Sequence, residues 1–318
     1  MKKMLSILIP CFNEEKSVAK LFNLIKENAE VLIEKKQISD FEVLFVSDGS
    51  TDKSEDVIKE LIKKDKRVRL IALRRNFGKS KALQIGFKAV KGDVIITMDA
   101  DLQDDPKEIS RFIQKIDEGY DLVSGWKHQR FDPIEKKAPS KLFNFMTSKL
   151  SGINLHDFNC GFKAYRREVV DNVEVYGEFH RYIPVLAKRY GFKAAEIEVK
   201  HHKREFGKSK FGAERYLRGL FDALSAVFLL KYYDKPMYFF GKAGLLISFI
   251  GFLICGYLTC LWFMGESIGH RPLLVLGVLF ILVGVQLISS GLIANIIVDN
   301  AERKSDNRAY IREIIGGE

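Results

Sequence analysis

DVIITMDADLQDDP, residues 93–106, is a strand that runs straight into acids. Val94 to Met98 are apolar or β-branched throughout, the pattern of a strand buried on both faces of a parallel sheet. Asp99, Asp101 and Gln103 therefore fall at the mouth of a sheet, and alternation along an extended chain predicts that the two acids point the same way. Paired carboxylates repel unless a cation or several donors offset their charge. Hard oxygens suit Mg2+ or Mn2+, with a diphosphate supplying the remaining ligands. The alternative, a helix cap at Asp104-Asp105-Pro106, needs only one of these acids.

On either side, strand-length runs alternate with helical stretches. LSILIPC (5–11), FEVLFVSD (41–48), VRLIALR (68–74) and DLVSGW (121–126) are separated by amphipathic segments such as 14–36 and 53–65. This alternation predicts an α/β domain whose mostly parallel sheet is covered on both faces, with ligands beyond the carboxyl ends of its strands. Those ends carry Pro10, Phe12, Asn13 and Glu14 after the first strand, and Ser47-Asp48-Gly49-Ser50 after the second. An aromatic ring, a carboxylate and a glycine on adjacent strand ends can stack a base and accept its imide hydrogen. Asp-Gly-Ser is also an ordinary turn, and Asn13 an ordinary helix cap. Neither GxGxxG after the first strand nor GxxxxGK[ST] occurs, so a metal is expected to hold the phosphates.

Beyond residue 134 the pattern loosens. KLFNFMTSKL (141–150) is amphipathic, GFKAYR (161–166) and AEIEVKHH (195–202) read as strands, and REFGKSKFG (204–212) is a basic loop. RYLRGLFDALSAVFLLKYY (215–233) combines an apolar face with Arg, Lys and Tyr, as an interfacial helix does; a core helix is the alternative. Composition changes near residue 239. Residues 243–264 and 273–298 carry no charge, and about 20 apolar residues span a bilayer. The connection GESIGHRP (265–272) carries one fixed cation, Arg271. Lys231, Lys235 and Lys242 precede the spans, and Arg303, Lys304, Arg308 and Arg312 follow. That asymmetry predicts a hairpin with both termini in the cytoplasm. Ser289, Ser290, Gly291 and Asn295 are candidates for close helix packing, with tolerated small residues as the alternative. The N-terminus reads as a buried strand rather than a cleaved leader, since acids begin at Glu14 and no small-residue site follows.

The net charge of +10 suits an anionic partner. Nucleic acid is not expected, because no recognition module accompanies the charge. Cys11 and Cys160 lie in polar sequence and Cys255 and Cys260 in an apolar run, a spacing that predicts neither disulfide nor zinc.

IPCFNEE (9–15), SDGSTD (47–52) and DADLQDDP (99–106), in this order on successive strands, resemble glycosyltransferase family 2. With the two C-terminal spans, the whole chain resembles the polyprenyl-phosphate glycosyltransferases, the group of dolichol-phosphate mannose synthase and the bactoprenol glucosyltransferases. The resemblance implies a GT-A-like domain and inverting, metal-dependent transfer from a nucleotide sugar. It implies that Pro10, Phe12 and Glu14 line the base pocket, that Asp48 binds the base, and that Ser47, Gly78 and Lys79 complete the nucleotide site. Many relatives carry Asp or Asn where Ser47 stands, which bears on base identity. Asp99 then lies near ribose and metal, and Asp101 and Gln103 near metal and diphosphate. LHDFNCGFKAYRR (155–167) resembles the acceptor-side motif, with Asp157 in the catalytic or positioning place. Lys127 and Arg130 are assigned to catalysis, and Arg204, Lys208 and Lys210 to phosphate or acceptor binding. For each cation singly, a solvated surface charge is the alternative. One of His201 and His202 is a further candidate to face the metal, with a structural role at the strand end as the alternative.

The expected organisation is a cytoplasmic catalytic domain (1–214), an interfacial segment (215–238), two transmembrane helices (239–298; about 240–264 and 273–298) and a cytoplasmic tail (299–318). The expected reaction joins a hexose from a UDP-sugar to a polyprenyl phosphate, in a bacterial or archaeal plasma membrane and in a homo-oligomer such as a tetramer. A processive polysaccharide synthase would carry a QxxRW segment, and neither Trp126 nor Trp262 lies in one. A non-enzymatic adaptor of the same fold would be free to lose Asp99, Asp101 or Gln103, and all three are present.

Overall fold

The computed structural model describes residues 3–127, 152–202 except 176 and 178, 235–304 except 270, and positions 144, 147–149, 228 and 231–233. The chain forms two compact units, divided between residues 223 and 224.

In the first unit the apolar runs become strands: β1 (Met4–Cys11), β2 (Asp40–Ser47), β3 (Val68–Ala72), β4 (Val94–Thr97), β5 (Leu122–Trp126), β6 (Lys163–Arg166) and β7 (Ala194–Glu198). They make one sheet in the order β3-β2-β1-β4-β6-β5-β7. The pairs β1–β2, β1–β4, β2–β3 and β5–β7 are parallel, while β6 runs antiparallel to both β4 and β5. Helices α1 (Val18–Glu34), α2 (Ser54–Lys64), α3 (Lys79–Ala89), α4 (Ile109–Asp117), α5 (Arg167–Asn172) and α6 (Ile183–Arg189) cover the sheet.

The continuous hydrophobicity of the strands follows from having two cores. Ile7, Ile9, Phe45 and Ile96 pack with Leu21 and Ile25 of α1 and Phe112 of α4, whereas Leu8, Leu44 and Ile95 pack with Leu83 and Phe87 of α3 and Val169 of α5. Each such side chain, fully buried, contributes about 1.5–3 kcal/mol. Asp105 caps the turn that leads into α4, accepting the Lys107 N–H at 3.0 Å with Pro106 next, so the cap reading belongs to Asp105.

Two features of this sheet shape the mouth. Strand β4 stops at Thr97, and Asp99 to Asp101 lie in a turn that ends on Leu102 at φ 63, so the strand alternation expected to align the two acids does not extend to them. Because β6 is antiparallel and begins opposite Thr97, the loop that precedes it, residues 155–162, is delivered to the same end of β4.

The second unit contains α7 (Pro236–Phe263) and α8 (Pro272–Lys304). Both are long and apolar enough to cross a membrane. Only 22% and 11% of their most apolar windows are buried, unlike core helices. Small residues bring the two backbones together: a Cβ at Gly244 would fall 2.6 Å from the Gly284 carbonyl oxygen, and one at Gly251 2.7 Å from that of Gly277. Gly291 packs against Met237 and Phe240, whereas Gly277 and Gly284 in the same helix carry contacts that the sequence reading did not single out.

Candidate active site

The loops after β1 and β2 are laced together by exchange between side chains and backbone. The Asn13 N–H donates to Ser50 Oγ at 3.1 Å, the Glu14 N–H to Ser54 Oγ at 2.7 Å and the Glu15 N–H to Asp52 Oδ2 at 3.2 Å, while Asn13 Oδ1 accepts the Thr51 N–H at 2.8 Å. Asn13 reaches this arrangement at φ 56, a conformation Asn tolerates. Glu14 Oε2 accepts from Ser17 Oγ at 2.8 Å. Buried Ser47 lies 2.7 Å from Glu55 Oε1, to which its hydroxyl donates. Asp48 is buried, and its two oxygens accept the Phe77 and Gly78 N–H groups at 2.7 and 2.9 Å. The Asp48 carboxylate thus draws the loop after β3 to the mouth. Gly49 beneath that loop has φ 70, and a Cβ there would meet Arg75 backbone carbon at 2.3 Å, so glycine is required twice over.

Gly78 leads into α3, whose first residue, Lys79, forms an ion pair with Asp99. Burial opposes ionisation of Asp99, but the Lys79 ammonium and then that of Lys127 outweigh it and hold the carboxyl well below the usual range. Lys127 itself pairs with the fully buried Asp104 at 2.9 Å. Burial alone would lower the Lys127 pKa; the adjacent Asp104 carboxylate reverses this and keeps the ammonium charged. Beside α3, His180 Nδ1 lies 2.8 Å from Ser80 Oγ, which also accepts the His180 N–H at 3.2 Å. Burial, then Lys79, Arg181 and Lys163, pushes its imidazole well below the ordinary pKa, so it is neutral at pH 7. The thiols of Cys11 and Cys160 are each pushed up to about 12 by burial and stay protonated.

Asp101 Oδ1 accepts the Gln103 N–H at 3.2 Å. Gln103 is tied to the strand end after β7: its Nε2 donates to the His202 carbonyl at 3.2 Å, its own carbonyl accepts the His202 N–H at 2.8 Å, and His201 Nδ1 lies 3.3 Å from that carbonyl. His202 Nε2 lies 3.4 Å from Asp105 Oδ2. Asp157, also buried, sits on the loop before β6, and that loop passes against Asp99: a Cβ at Gly161 would fall 2.7 Å from Asp99 Oδ2. The DADLQDDP and LHDFNCGFKAYRR stretches therefore meet at one carboxylate.

Residues 6–174 match the model of the family described as glycosyl transferase family 2. The chain belongs to that family. Among curated proteins, the family 2 chain is 36% identical to the dodecaprenyl-phosphate galacturonate synthase of Rhizobium johnstonii, over 96% of this chain and 91% of that protein. It is 32% identical to the undecaprenyl-phosphate 4-deoxy-4-formamido-L-arabinose transferase of Photorhabdus laumondii, over 99% and 95%. Among solved structures it resembles glucosyl-3-phosphoglycerate synthase of Mycobacterium tuberculosis in complex with Mg2+ and uridine diphosphate, with TM-score 0.52 and 18% identity over 70% of this chain and 80% of that one. The sheet domain of this glycosyltransferase is therefore GT-A-like.

The donor set fits a divalent cation shared with a substrate. Among the described residues no group of three or more His, Cys, Asp or Glu gathers into a metal cage. Asp99, held ionised, and Asp101 offer one or two hard carboxylates at the mouth, which is how Mg2+ is commonly held when phosphates complete its shell. His201 and His202 contact the Gln103 carbonyl at the strand end, through Nδ1 and the backbone N–H respectively. Arg130, Arg204, Lys208, Lys210 and nearly all of the 215–233 segment lie outside the described residues.

Several residues around the mouth carried little or no sequence signal. Lys163 and Glu196 sit in short strands, His180 in an irregular stretch, and Asp104 reads as one more acid in a run of them. The only cue to Asp104 was its place in the DADLQDDP motif.

Proposed function

We propose that this family 2 glycosyltransferase transfers a hexose from a UDP-sugar to a polyprenyl phosphate at a membrane surface, with inversion at the anomeric carbon. The observation that carries the reading is the single loop joining Asp157 to Gly161, which lays the acceptor-side motif against the Asp99 carboxylate. The two relatives named for polyprenyl-phosphate transfer align across nearly the whole chain, the apolar helix pair included, and support the choice of acceptor.

In the proposed reaction an oxygen of the lipid phosphate attacks the anomeric carbon from the face opposite the diphosphate. The bond from that carbon to the diphosphate oxygen breaks and nucleoside diphosphate leaves. A phosphate acceptor is already anionic near pH 7, so no proton need be taken from it. Asp101, with Asp99 and Gln103, would hold Mg2+ or Mn2+, which when bound stabilises charge on the leaving diphosphate. Pro10, Phe12 and Glu14 receive the base, Asp48 shapes the loop that brings Gly78 and Lys79 to the nucleotide, and Ser47, tied to Glu55, holds the turn after β2 beside it. Lys127, kept charged by Asp104, faces phosphate with Arg130. Arg204, Lys208 and Lys210 engage the acceptor headgroup. Asp157 orients the acceptor. Residues 1–214 form the cytoplasmic catalytic domain, 215–238 an interfacial segment, 239–298 the membrane hairpin and 299–318 a cytoplasmic tail, in a homo-oligomer of a bacterial or archaeal plasma membrane.

The test is a donor screen on purified full-length protein with Mg2+ or Mn2+, a panel of nucleotide sugars and undecaprenyl phosphate, followed by mass spectrometry of the lipid. A sugar-phosphate lipid with one donor is expected. Folded protein that yields none with any donor would overturn the reading.

A further inference from the structure

The loop carrying Asp157 has its backbone gripped by side chains rather than by secondary structure. Glu196 of β7 accepts the His156 and Asp157 N–H groups at 3.0 and 2.9 Å, and its other oxygen lies 2.8 Å from His156 Nδ1. Asn144 Nδ2 donates to the His156 carbonyl at 2.9 Å, and Ser124 Oγ of β5 donates to the Asp157 carbonyl at 3.3 Å. Lys163 of β6 donates from Nζ to the Phe158 carbonyl at 3.2 Å and to the Cys160 carbonyl. Thr97, the last residue of β4, donates from Oγ1 to the Gly161 carbonyl at 2.8 Å. Four strands thus each contribute one side chain to the single stretch 156–161. The His156 ring also stacks on Trp126 at the end of β5, with centroids 4.2 Å apart, next to Lys127.

We propose that Glu196 and Lys163 are positioning residues of the transfer reaction, a carboxylate and an ammonium that clamp the two ends of the 156–161 loop and hold Asp157 at a fixed place relative to Asp99. Two details favour this over simple loop packing. Lys163 is almost wholly buried, and burying an ammonium is costlier than burying an apolar side chain of the same length, so packing alone does not account for it. Gly161, whose carbonyl Thr97 holds next to the Lys163-held Cys160 carbonyl, lies so close to the Asp99 carboxylate that a Cβ there would fall 2.7 Å from its Oδ2, so slack in the loop is passed directly to the mouth. Preorganised geometry of this kind acts on turnover, because a displacement near 1 Å at a reacting centre costs about 100-fold in rate. The catalytic consequence rests on the proposed reading of Asp157 as the acceptor-orienting group; the clamp itself does not.

The experiment uses the full-length protein with Glu196→Ala, Glu196→Gln and Lys163→Met, and makes two measurements. Hydrogen exchange across residues 155–161 is expected to speed up at least tenfold in Glu196→Ala and in Lys163→Met, and less in Glu196→Gln, which keeps an acceptor oxygen. In the lipid-product assay kcat is expected to fall at least tenfold in Glu196→Ala and Lys163→Met while the donor KM stays within twofold, with Glu196→Gln recovering most of the loss. Unchanged exchange in a folded Glu196→Ala or Lys163→Met protein overturns the clamp, as does a donor KM that rises as much as kcat falls, which marks general disruption. Normal kcat in a folded variant whose exchange has risen overturns the positioning role. If Glu196→Ala does not fold, Lys163→Met decides the same points. Wild-type protein that makes no glycolipid counts against the acceptor assignment, and the exchange measurement still decides the clamp.

Discussion

Gly161→Ala tests whether the contact between the acceptor-side loop and Asp99 matters to the chemistry. The added methyl would lie 2.7 and 2.8 Å from the two carboxylate oxygens of Asp99 and 2.9 Å from its Cγ. An ordinary contact is about 3.4 Å or more, so either the carboxylate or the loop must give way by about 0.7 Å. Gly161 is not among the residues with positive φ, so alanine meets no backbone strain there. The Asp99 side chain is one-third exposed, at 33%, and has room to yield. The expected cost in stability is therefore about 1 kcal/mol or less, a shift of about 2–4 °C in Tm. Catalysis should suffer more: a displacement of this size at the reacting centre predicts a fall in kcat/KM of about ten- to a hundredfold, or about 1.4–2.7 kcal/mol. The assay is glycolipid formation under initial-rate conditions, with nucleotide affinity measured in parallel and Gly256→Ala as control, since a Cβ at Gly256 touches nothing within 4 Å. A Gly161→Ala enzyme with kcat/KM and nucleotide affinity within twofold of wild type would refute the reasoning.

Lys127→Met strands the buried Asp104 carboxylate and should cost about 3–5 kcal/mol in urea unfolding, while Lys127→Met with Asp104→Asn should regain most of that stability without regaining turnover. His180 has a depressed pKa, so its neutral form contributes stability that is full above the unfolded value near 6.5 and is lost as pH falls below it; His180→Gln should flatten the loss of Tm between pH 7 and pH 5. Asp157→Asn should retain most turnover if Asp157 positions the acceptor, with Asp157→Ala losing it; equal loss in both, measured as kcat, would indicate a need for its charge. Gly284→Leu places side-chain atoms where a Cβ already falls 2.0 Å from Ser248 Oγ, and should separate α7 from α8, read as lost cysteine cross-linking across that seam in membranes.

Strands β1, β2 and β4 were legible because a sheet covered on both faces demands largely apolar residues, and a run so short and so apolar suits few places but the middle of such a sheet. The end of β4 was less so. Whether Asp99 continues the strand or enters a turn depends on where Lys79 and the 161 region lie, and those contacts span 20 and 62 residues of sequence. GFKAYR was readable as a strand, but neither its antiparallel insertion between β4 and β5 nor the burial of Lys163 was, since a lysine in a four-residue strand ordinarily faces water. Its acceptors are backbone carbonyls of its own preceding loop, which leave no trace in residue type. Glu196 is a similar case. Its position on an edge strand suggests a solvated charge, and only the fold brings the 156–157 amides to it. His180 depends on Ser80, a hundred residues earlier.

The charges around the mouth form a coherent set once the acceptor is taken to be a phosphate. A sugar hydroxyl would need a base to take its proton, and a phosphate needs cations that stay cationic instead. Two of the mouth's carboxylates, Asp99 and Asp104, are each spoken for by an ammonium, Lys79 and Lys127 respectively, and Lys127 is thereby held charged despite its burial. His180 is kept neutral by burial and by the neighbouring cations, so it adds no positive charge, and its Nδ1 is engaged with Ser80. The buried thiols of Cys11 and Cys160 are likewise held protonated. What distinguishes Asp157 from Asp99 is its anchoring: Asp99 is held by a long lysine side chain, which the proposed metal would displace, whereas Asp157 is fixed through its backbone by Glu196 and Ser124. A donor that arrives with its own cation calls for the first arrangement. On the proposed reading, a lipid headgroup that must be met at a set angle calls for the second.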